Sequence, residues 1–443
     1  MVKGRRECCP PLYYFLMQAI SHEPRHNWAG NLTYHAAGWH APTTPEAVSE
    51  LVSRAAVVKV LGTRHSFNEV ADTTGEMISL ERLQDIAPPC HRTQTVTIGA
   101  GVRYADLGPV LHEHGYALAN LASLPHISVA GACATATHGS GLHNTNLSTA
   151  VCALELVTGN GETVRLSREA DGDRFCGAVV NLGALGVVTR LTLKLLPAFT
   201  VRQVVYEHLP FAYVEEQFAE ALSSAYSVSL FTDWRGETVR QVWQKHRSEN
   251  GDEQPFPEHW QGATLAKTPL HPLPDMPAHN CTLQQGIPGP WHERLPHFRR
   301  EFTPSHGEEL QSEYFVPLPN APQAVREMRR LGERLAPQLL VSEVRAVAAD
   351  DLWLSPCYKQ ACAGFHFTWK RDWPGVRELL PLIEERLVPL GARPHWGKLF
   401  TVPAEWVRSR YERLPDFDAL RREFDPDAKF ANAFLNSVLP RTV

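Results

Sequence analysis

The sequence predicts a two-domain α+β protein, and three observations favour this fold class. The chain has 443 residues, more than one hydrophobic core usually organises. Its 43% hydrophobic and 21% charged residues are typical of globular proteins that fold in water. Strand-like apolar runs and helical apolar stripes occur in one series up to Pro197, after which a second series begins. We therefore expect a first domain over residues 27–198 and a second over residues 199–398.

Charge and cysteine content narrow the class of protein. The formal net charge is −5 and no basic stripe is present, which argues against nucleic acid as a partner. The cysteines are odd in number and lack the spacing of a disulfide framework or of a zinc site. They are Cys8, Cys9, Cys90, Cys133, Cys152, Cys176, Cys281, Cys357 and Cys362. We therefore expect reduced thiols, a cytoplasmic location and no bound metal.

Residues 1–26 are expected to form an N-terminal extension. Lys3, Arg5 and Arg6 precede the apolar run Pro11–Ile20, which could imitate a signal peptide. No small-residue cleavage site follows the run, and it is too short to span a bilayer. A short helix or a loose extension is the expected structure, and no membrane partner is expected.

The first domain should contain short strands and helices in a fixed order. Thr44 is suited to cap a helix that begins at Pro45, and a second helix should cover 106–114 and end at Gly115. The TGNG turn at 158–161 predicts a hairpin. Strands are expected at 57–61, 77–80, 95–98, 151–157 and 163–166, followed by a long strand that reaches Leu195.

Two glycine-containing stretches, Gly62–Asn68 and Leu121–Leu142, follow predicted strands of this domain. The second is almost free of charge and dense in small residues, so its backbone N–H groups are available to donate. Such turns form concave sites for anions, which suggests a phosphate-bearing ligand. A buried turn packed against a neighbouring strand is the alternative. Neither stretch has the glycine pattern of nicotinamide- or ATP-binding loops.

The second domain should also mix strands and helices, and a C-terminal segment over residues 399–443 should return to the first domain. Strands are expected at 201–209, 228–234, 238–245, 310–316 and 339–348, and helices at 213–223, 321–335, 404–411 and 417–424. The segment 246–309 is rich in proline, histidine and charge, so we expect a long surface excursion or cap with solvated histidines. The stretch 424–432 should form the returning turn.

Polar residues interrupt the later strands of the second domain. Glu343 and Arg345 are two apart, so on a strand their side chains share a face, and the same holds for His366 and Thr368. Lys398 follows in a glycine-broken turn. Spacing alone leaves open a surface ion pair between Glu343 and Arg345.

The ordered set of motifs resembles the FAD-dependent oxidases of the vanillyl-alcohol-oxidase type, and within them the alditol oxidases. The resemblance extends over nearly the whole chain from residue 27 and implies a two-domain FAD-binding (PCMH-type) fold with a mixed α/β substrate (cap) domain. The motifs are NWAGN at 27–31, GTRHSFN at 62–68, SLPHISVAGACATATHGSG at 123–141, GALGVVTRLTLKLLP at 183–197, ELQSEYFVP at 309–317, SEVR at 342–345, DDLWLSPCY at 350–358, FHFTWK at 365–370 and ARPHWGK at 392–398.

The resemblance implies roles for individual residues. His65 corresponds to the histidine that these enzymes join covalently to the flavin, although a turn histidine bonded within its own loop is the alternative. The other implied FAD contacts are Gly62, Thr63, Arg64, Ser66, Phe67, Asn68, Ser128, Gly131, Thr135, Ala136, Thr137, His138 and Val187. The implied substrate contacts are Ser123, Glu343, Arg345, Thr368 and Lys398, of which Arg345 and Lys398 are also catalytic. For His126 and His138 a purely structural role remains open.

The implied reaction is oxidation of the terminal hydroxyl of an alditol such as xylitol or sorbitol. A hydride passes from C1 to flavin N5, and dioxygen then reoxidises the flavin and gives hydrogen peroxide. An aldonolactone oxidoreductase of the same fold and a flavin-binding module without turnover remain alternatives. The implied partners are the polyol and dioxygen, with a monomeric chain.

Overall fold

The computed structural model describes residues 25–248, 254–302 and 308–441. The predicted helix or extension at Pro11–Ile20 lies outside these ranges. In the N-terminal part the strands are β1 (Gly38–His40), β2 (Val58–Leu61), β3 (Glu76–Ser79), β4 (Thr95–Gly99), β5 (Tyr116–Ala117), β6 (Val151–Val157), β7 (Thr163–Ser167), β8 (Val187–Lys194) and β9 (Leu196–Pro197). The helices are α1 (Pro45–Arg54), α2 (Tyr104–Glu113), α3 (Val129–Ala134) and α4 (Arg168–Val179).

The following part of the chain contains one large sheet and its helices. The strands are β10 (Thr200–Pro210), β11 (Ser227–Thr232), β12 (Thr238–Ser248), β13 (His259–Trp260), β14 (Ala263–Leu265), β15 (Pro288–Pro290), β16 (Glu309–Pro317), β17 (Leu339–Val347), β18 (Cys362–Lys370) and β19 (Arg393–Pro394). The helices are α5 (Phe211–Glu216), α6 (Phe218–Ser223), α7 (Trp291–Arg294), α8 (Ala321–Leu335) and α9 (Trp373–Leu387), and α10 (Ala404–Ser409), α11 (Leu414–Phe424) and α12 (Ala433–Val438) follow.

Two sheets organise the N-terminal part. β1, β3 and β2 form a parallel sheet in that order, and β4, β8, β6 and β7 form an antiparallel one. The predicted start of α1 is confirmed, because the Thr44 hydroxyl accepts the Ala47 N–H at 3.2 Å. The second glycine-containing stretch, Leu121–Leu142, was expected to form turns, but it contains the short helix α3.

The large antiparallel sheet has the order β13-β14-β10-β12-β11-β17-β18-β16-β19 among the described residues, and β15 pairs with the edge of β10. One face carries apolar side chains such as Val344, Phe365 and Phe367, which pack with α8 and α9 into a core. Since side chains alternate along a strand, the polar side chains between them lie on the opposite face. That face lies against the two glycine-containing stretches.

Two local predictions differ from the structure. The predicted helix over 213–223 is two helices, α5 and α6, because Gln217 leaves the helical conformation at φ −125° and ψ 41°. The histidines of 246–309 were expected to be solvated, and this is wrong for His271 and His297, which are 8% and 5% exposed. His271 lies within the segment that leads from β14 to α7 and packs against Phe298, whereas His297 follows α7 and packs against Trp243.

The C-terminal segment returns to the first sheet. The Val58 N–H donates to Lys429 O at 2.9 Å, and Phe430 packs in one buried cluster with Val48 and Ile78. We propose domain boundaries near residues 26, 198 and 398, which the separation of the sheets on either side of residue 198 supports. None of the helices in the described ranges combines the length and apolar character that crossing a bilayer requires.

Candidate active site

A cavity of about 600 Å³ lies between the two glycine-containing stretches and the polar face of the large sheet. Most of the residues expected to contact a cofactor line it, namely Gly62, Thr63, Arg64, His65, Ser66, Phe67, Ser128, Gly131, Thr135, Thr137 and His138. All five expected substrate contacts line it as well: Ser123, Glu343, Arg345, Thr368 and Lys398. The structure therefore brings most of the expected cofactor contacts and all of the expected substrate contacts to one cavity.

Three of the expected cofactor residues do not line the cavity. Val187 is fully buried in the core between the first two sheets, whereas Val188 lines the cavity, because neighbouring residues of a strand face opposite sides. Ala136 is buried in the core at a positive φ of 54°. The amide of Asn68 instead donates to the carbonyl oxygens of Trp396 and Lys398, each at 2.8 Å.

The first stretch is shaped by its neighbours. Asn27 and Asn31 donate to the carbonyl oxygens of Ser66 and Phe67 at 2.9 and 3.0 Å. The Trp28 ring stacks on His65 at 5.2 Å and 19°. Burial lowers the pKa of His65 to about 4, so its imidazole is neutral at physiological pH.

The second stretch lies close to the first. The Ser128 N–H donates to Thr63 Oγ1 at 3.2 Å. A Cβ atom added to Gly62 or to Gly131 would lie 2.8 Å from Ser128 Oγ, so a larger residue at either position would force the Ser128 hydroxyl to move. The two stretches form one wall of the cavity that is poor in side chains.

The wall fits a flavin dinucleotide. His65 Nδ1 and Ser128 Oγ are buried without a hydrogen-bond partner among the described residues, although both residues line the cavity. Buried polar atoms of this kind are usually satisfied by a ligand or water. Backbone N–H groups beside side-chain-free positions suit a diphosphate, and a neutral imidazole suits covalent attachment to an electrophilic ring.

Three adjacent strands supply a row of charged residues at the opposite wall. His366 on β18 lies directly across from Glu343 on β17 and from Glu313 on β16. In the next row, Thr368 lies across from Gln311. Strand register therefore places these side chains side by side without any loop contribution.

Glu313 is the centre of this network and was not predicted as a site residue. It is 2% exposed, and its Oε1 lies 2.9 Å from His138 Nε2 and 3.1 Å from Arg345 Nη2. Its other oxygen lies 3.4 Å from His366 Nδ1. Burial alone would raise the pKa of Glu313, but His138 and His366 outweigh it and hold that pKa well below its ordinary value.

Arg345 joins the two walls. Its Nη1 donates to Ser123 Oγ at 3.3 Å, and its Nε lies 3.5 Å from Glu343 Oε1. Glu343 and Arg345 are 5% and 6% exposed, so the pair is buried and is not the surface ion pair that spacing alone left open. Burial would raise the pKa of Glu343, but Arg345 and His297 together hold it below its ordinary value.

Lys398 supplies a second cation. Its Nζ donates to Gln311 Oε1 and lies 4.9 Å from the centre of the Phe67 ring. Burial lowers the pKa of Lys398 to about 8. The turn that carries it is bonded to the first stretch, because the Phe67 N–H donates to Gly397 O at 2.8 Å.

His297 is a further residue that was missed. Its Nε2 lies 2.8 Å from Glu343 Oε1, and its backbone N–H donates to Ser123 O at 3.1 Å. Both nitrogens of His138 face oxygen acceptors, Gly139 O and Glu313 Oε1, so its ring serves the carboxylate network. Among the described residues, no group of three histidine, cysteine or carboxylate side chains is placed to hold a metal ion.

The fold, the side-chain-poor wall and the facing polar sheet define an FAD-dependent oxidoreductase of the vanillyl-alcohol-oxidase type. Two family models match the chain: an FAD binding domain over residues 36–167 and a D-arabinono-1,4-lactone oxidase model over residues 305–438. An alditol oxidase from Streptomyces sp. (strain IKD472 / FERM P-14339) is 49% identical over 93% of this chain and 98% of its own length. The chain belongs to the alditol oxidase family.

More distant similarities agree with this fold. An L-gulono-1,4-lactone dehydrogenase from Mycobacterium tuberculosis is 29% identical over 93% of this chain and 98% of its own length. A solved cholesterol oxidase from B. sterolicum superimposes with a TM-score of 0.75 at 16% sequence identity, and covers 94% of this chain and 96% of that structure. This last likeness supports the two-domain fold alone.

Proposed function

We propose that the protein oxidises the terminal primary alcohol of an alditol, such as xylitol or sorbitol, to the aldose and reduces dioxygen to hydrogen peroxide. The observation that carries this proposal is that the buried Glu343 and Arg345, together with Lys398, line the cavity opposite the wall formed by the two glycine-containing stretches. A carboxylate accepts hydrogen bonds from hydroxyl groups, whereas the two cations donate to them. The identity of 49% to an alditol oxidase supports the same substrate class.

The substrate hydroxyls would be held from two sides. Glu343 and Thr368 bind from the large sheet, and Ser123 binds from the second glycine-containing stretch. The hydrogen bond between Ser123 and Arg345 fixes the two sides relative to each other. Holding several hydroxyls at once orients the terminal carbon and lowers the entropic part of the barrier.

Arg345 and Lys398 would act on the reacting hydroxyl. Their charges lie at the cavity surface and stabilise the negative charge that develops on the oxygen as its proton leaves. Glu313 holds Arg345 from behind, which keeps the guanidinium in place while substrate binds. When bound, the flavin supplies the hydride acceptor and the reaction with dioxygen.

Lactone oxidation is the second candidate function, because a D-arabinono-1,4-lactone oxidase model matches residues 305–438. Measuring the release of hydrogen peroxide distinguishes the two functions. Purified protein is given xylitol, sorbitol or L-gulono-1,4-lactone, and peroxide is measured in the steady state. We expect release with both alditols. Turnover of the lactone alone would instead support the second candidate. A yellow protein that neither an alditol nor the lactone bleaches without air would indicate flavin binding without turnover.

Covalent attachment through His65 is part of the proposal and gives a specific prediction. Acid precipitation of the parent protein should give a yellow pellet, because a covalent bond survives unfolding. His65→Ala should give a colourless pellet with the flavin in the supernatant. His126→Ala is the matched control, since His126 bonds Arg300 O and its pellet should stay yellow. A yellow His65→Ala pellet would place the link elsewhere. The monomeric and cytoplasmic state expected from the sequence stays a prediction.

A further inference from the structure

Lys245 is a buried lysine that takes no part in the reaction proposed so far. It lies on β12 within the large sheet and is 1% exposed. Its Nζ donates to Leu295 O, to Pro296 O at 3.0 Å and to His297 Nδ1 at 3.2 Å. Three acceptors around one ammonium group match its three N–H donors. The environment is therefore built for a lysine.

The contact with Lys245 determines which nitrogen of His297 carries the proton. Because Nδ1 accepts a hydrogen bond, the proton of the neutral ring lies on Nε2. Nε2 then donates to Glu343 Oε1 at 2.8 Å. Burial, and after it the charge of Lys245, lowers the pKa of His297 to about 4, so the ring is neutral at physiological pH.

The same segment reaches both substrate-binding walls. The N–H groups of His297 and Phe298 donate to Ser123 O at 3.1 and 3.3 Å. The His297 ring meanwhile contacts Oε1 of Glu343, the same oxygen that faces Arg345 Nε. Both contacts use one oxygen, which leaves Oε2 to a substrate hydroxyl. Lys245 therefore holds a segment that fixes two expected substrate contacts.

We propose that Lys245 is a positioning residue that holds His297 as the Nε2–H tautomer and thereby orients the Glu343 carboxylate for a substrate hydroxyl. The identity of the ligand rests on the proposed alditol oxidation, whereas the tautomer does not. Burial lowers the pKa of Lys245 to about 7. The neutral amine keeps only two N–H groups, which the carbonyls of Leu295 and Pro296 accept, so above this pKa its lone pair faces Nδ1 and the control of the tautomer is lost.

Several charged groups surround this pair and bear on its pH dependence. Glu343 and Arg345 face His297 from β17, and Lys245 faces it from β12. Cys281 faces Lys245, and His366 on β18 faces Glu343. Apart from that of Lys245 itself, these ionisations are shared by the parent protein and a Lys245 variant. The informative quantity is therefore the ratio of their KM values at each pH.

Lys245→Met removes the donor to Nδ1 and retains the bulk of the side chain. Neutral His297 can then carry its proton on Nδ1, which leaves Nε2 without a donor toward Glu343. The ring stays neutral in this variant, because burial, the larger cause of the low pKa of His297, is unchanged. We expect KM for xylitol to be about tenfold above the parent value at about pH 6, where the parent Lys245 is charged, and close to the parent value at about pH 8.5, where the parent has lost its ammonium donor as well. kcat should change little, because Glu343 binds substrate and transition state alike.

Two further variants separate tautomer control from general damage. Adding His297→Gln supplies an amide donor that does not titrate, so the ratio of KM between the double variant and His297→Gln alone should not depend on pH. Lys59→Met is the matched control, because Lys59 is equally buried and bonds three backbone carbonyls but no histidine. A pH-independent ratio for Lys245→Met, or the same pH dependence for Lys59→Met, would overturn the proposal.

A spectroscopic measurement keeps the proposal testable if Lys245→Met does not fold. Nitrogen-15 spectra of the parent protein with labelled histidine, recorded without substrate at about pH 6, report which nitrogen is protonated. The signal that disappears in His297→Gln identifies the residue. We expect an Nε2–H ring, and an Nδ1–H ring or an imidazolium would overturn the proposal. If the parent does not oxidise xylitol, the proposed function fails while these spectra still decide the tautomer.

Discussion

We expect Lys398→Met to slow reduction of the flavin by xylitol about 100- to 1000-fold while the FAD content stays that of the parent. Methionine preserves the packing of the side-chain stem against Phe67 but removes the charge that stabilises the developing oxyanion. The loss should appear in anaerobic stopped-flow absorbance of the flavin, which isolates the reaction with the alditol from the reaction with dioxygen.

Lys370→Met is the matched control for this variant. Lys370 ends β18, is exposed and donates to Pro337 O, so its charge lies away from the cavity. Its replacement should leave the rate of flavin reduction unchanged. Lys398→Arg retains a cation in a different geometry and should fall between the parent and the methionine variant. A parental rate for Lys398→Met would remove this residue from the reaction.

The second large effect is expected on stability. Glu313→Ala should lower the free energy of unfolding by about 3–5 kcal/mol, because it leaves Arg345, His138 and His366 buried without the carboxylate that each of them contacts. Urea titration followed in parallel by tryptophan fluorescence and circular dichroism measures the change. Glu313→Gln keeps an oxygen acceptor and should lose less.

An exposed ion pair provides the comparison for Glu313. Glu412 pairs with Lys359 at 2.9 Å, and both side chains are more than half exposed. Glu412→Ala should change the unfolding free energy little, since solvent already screens this pair. If Glu313→Ala were as mild as Glu412→Ala, the carboxylate network would contribute to activity alone and not to the stability of the fold.

Local patterns predicted most elements of the fold. The residue patterns predicted strand β6 and helix α8 with the same bounds that the structure has. Thr44 correctly predicted the start of α1. The two-residue spacing of Glu343 and Arg345 correctly put both side chains on one face. It could not predict burial, because burial depends on the strands and the second stretch that pack around them.

The residues that were missed depend on long-range contacts. Gln311 and Glu313 have the same two-residue spacing as Glu343 and Arg345, so the strand pattern could have singled them out. His297 lies in a segment without periodicity, and its burial follows from Lys245 some fifty residues earlier in the chain. The resemblance implied Val187 as a cofactor contact, whereas Val188 lines the cavity, because the face of a strand is fixed by its neighbours and not by its composition.

The hydrogen bonds from Phe67 and Asn68 to the 396–398 turn have a practical consequence for mutagenesis. These hydrogen bonds connect the first glycine-containing stretch to the turn that carries Lys398. Their loss should therefore weaken FAD binding and alditol binding together. A variant at Asn68 should therefore lose both its yellow colour and its polyol binding, although the Asn68 side chain does not line the cavity. A combined loss of FAD binding and of alditol binding in such a variant is best explained by the loss of these hydrogen bonds.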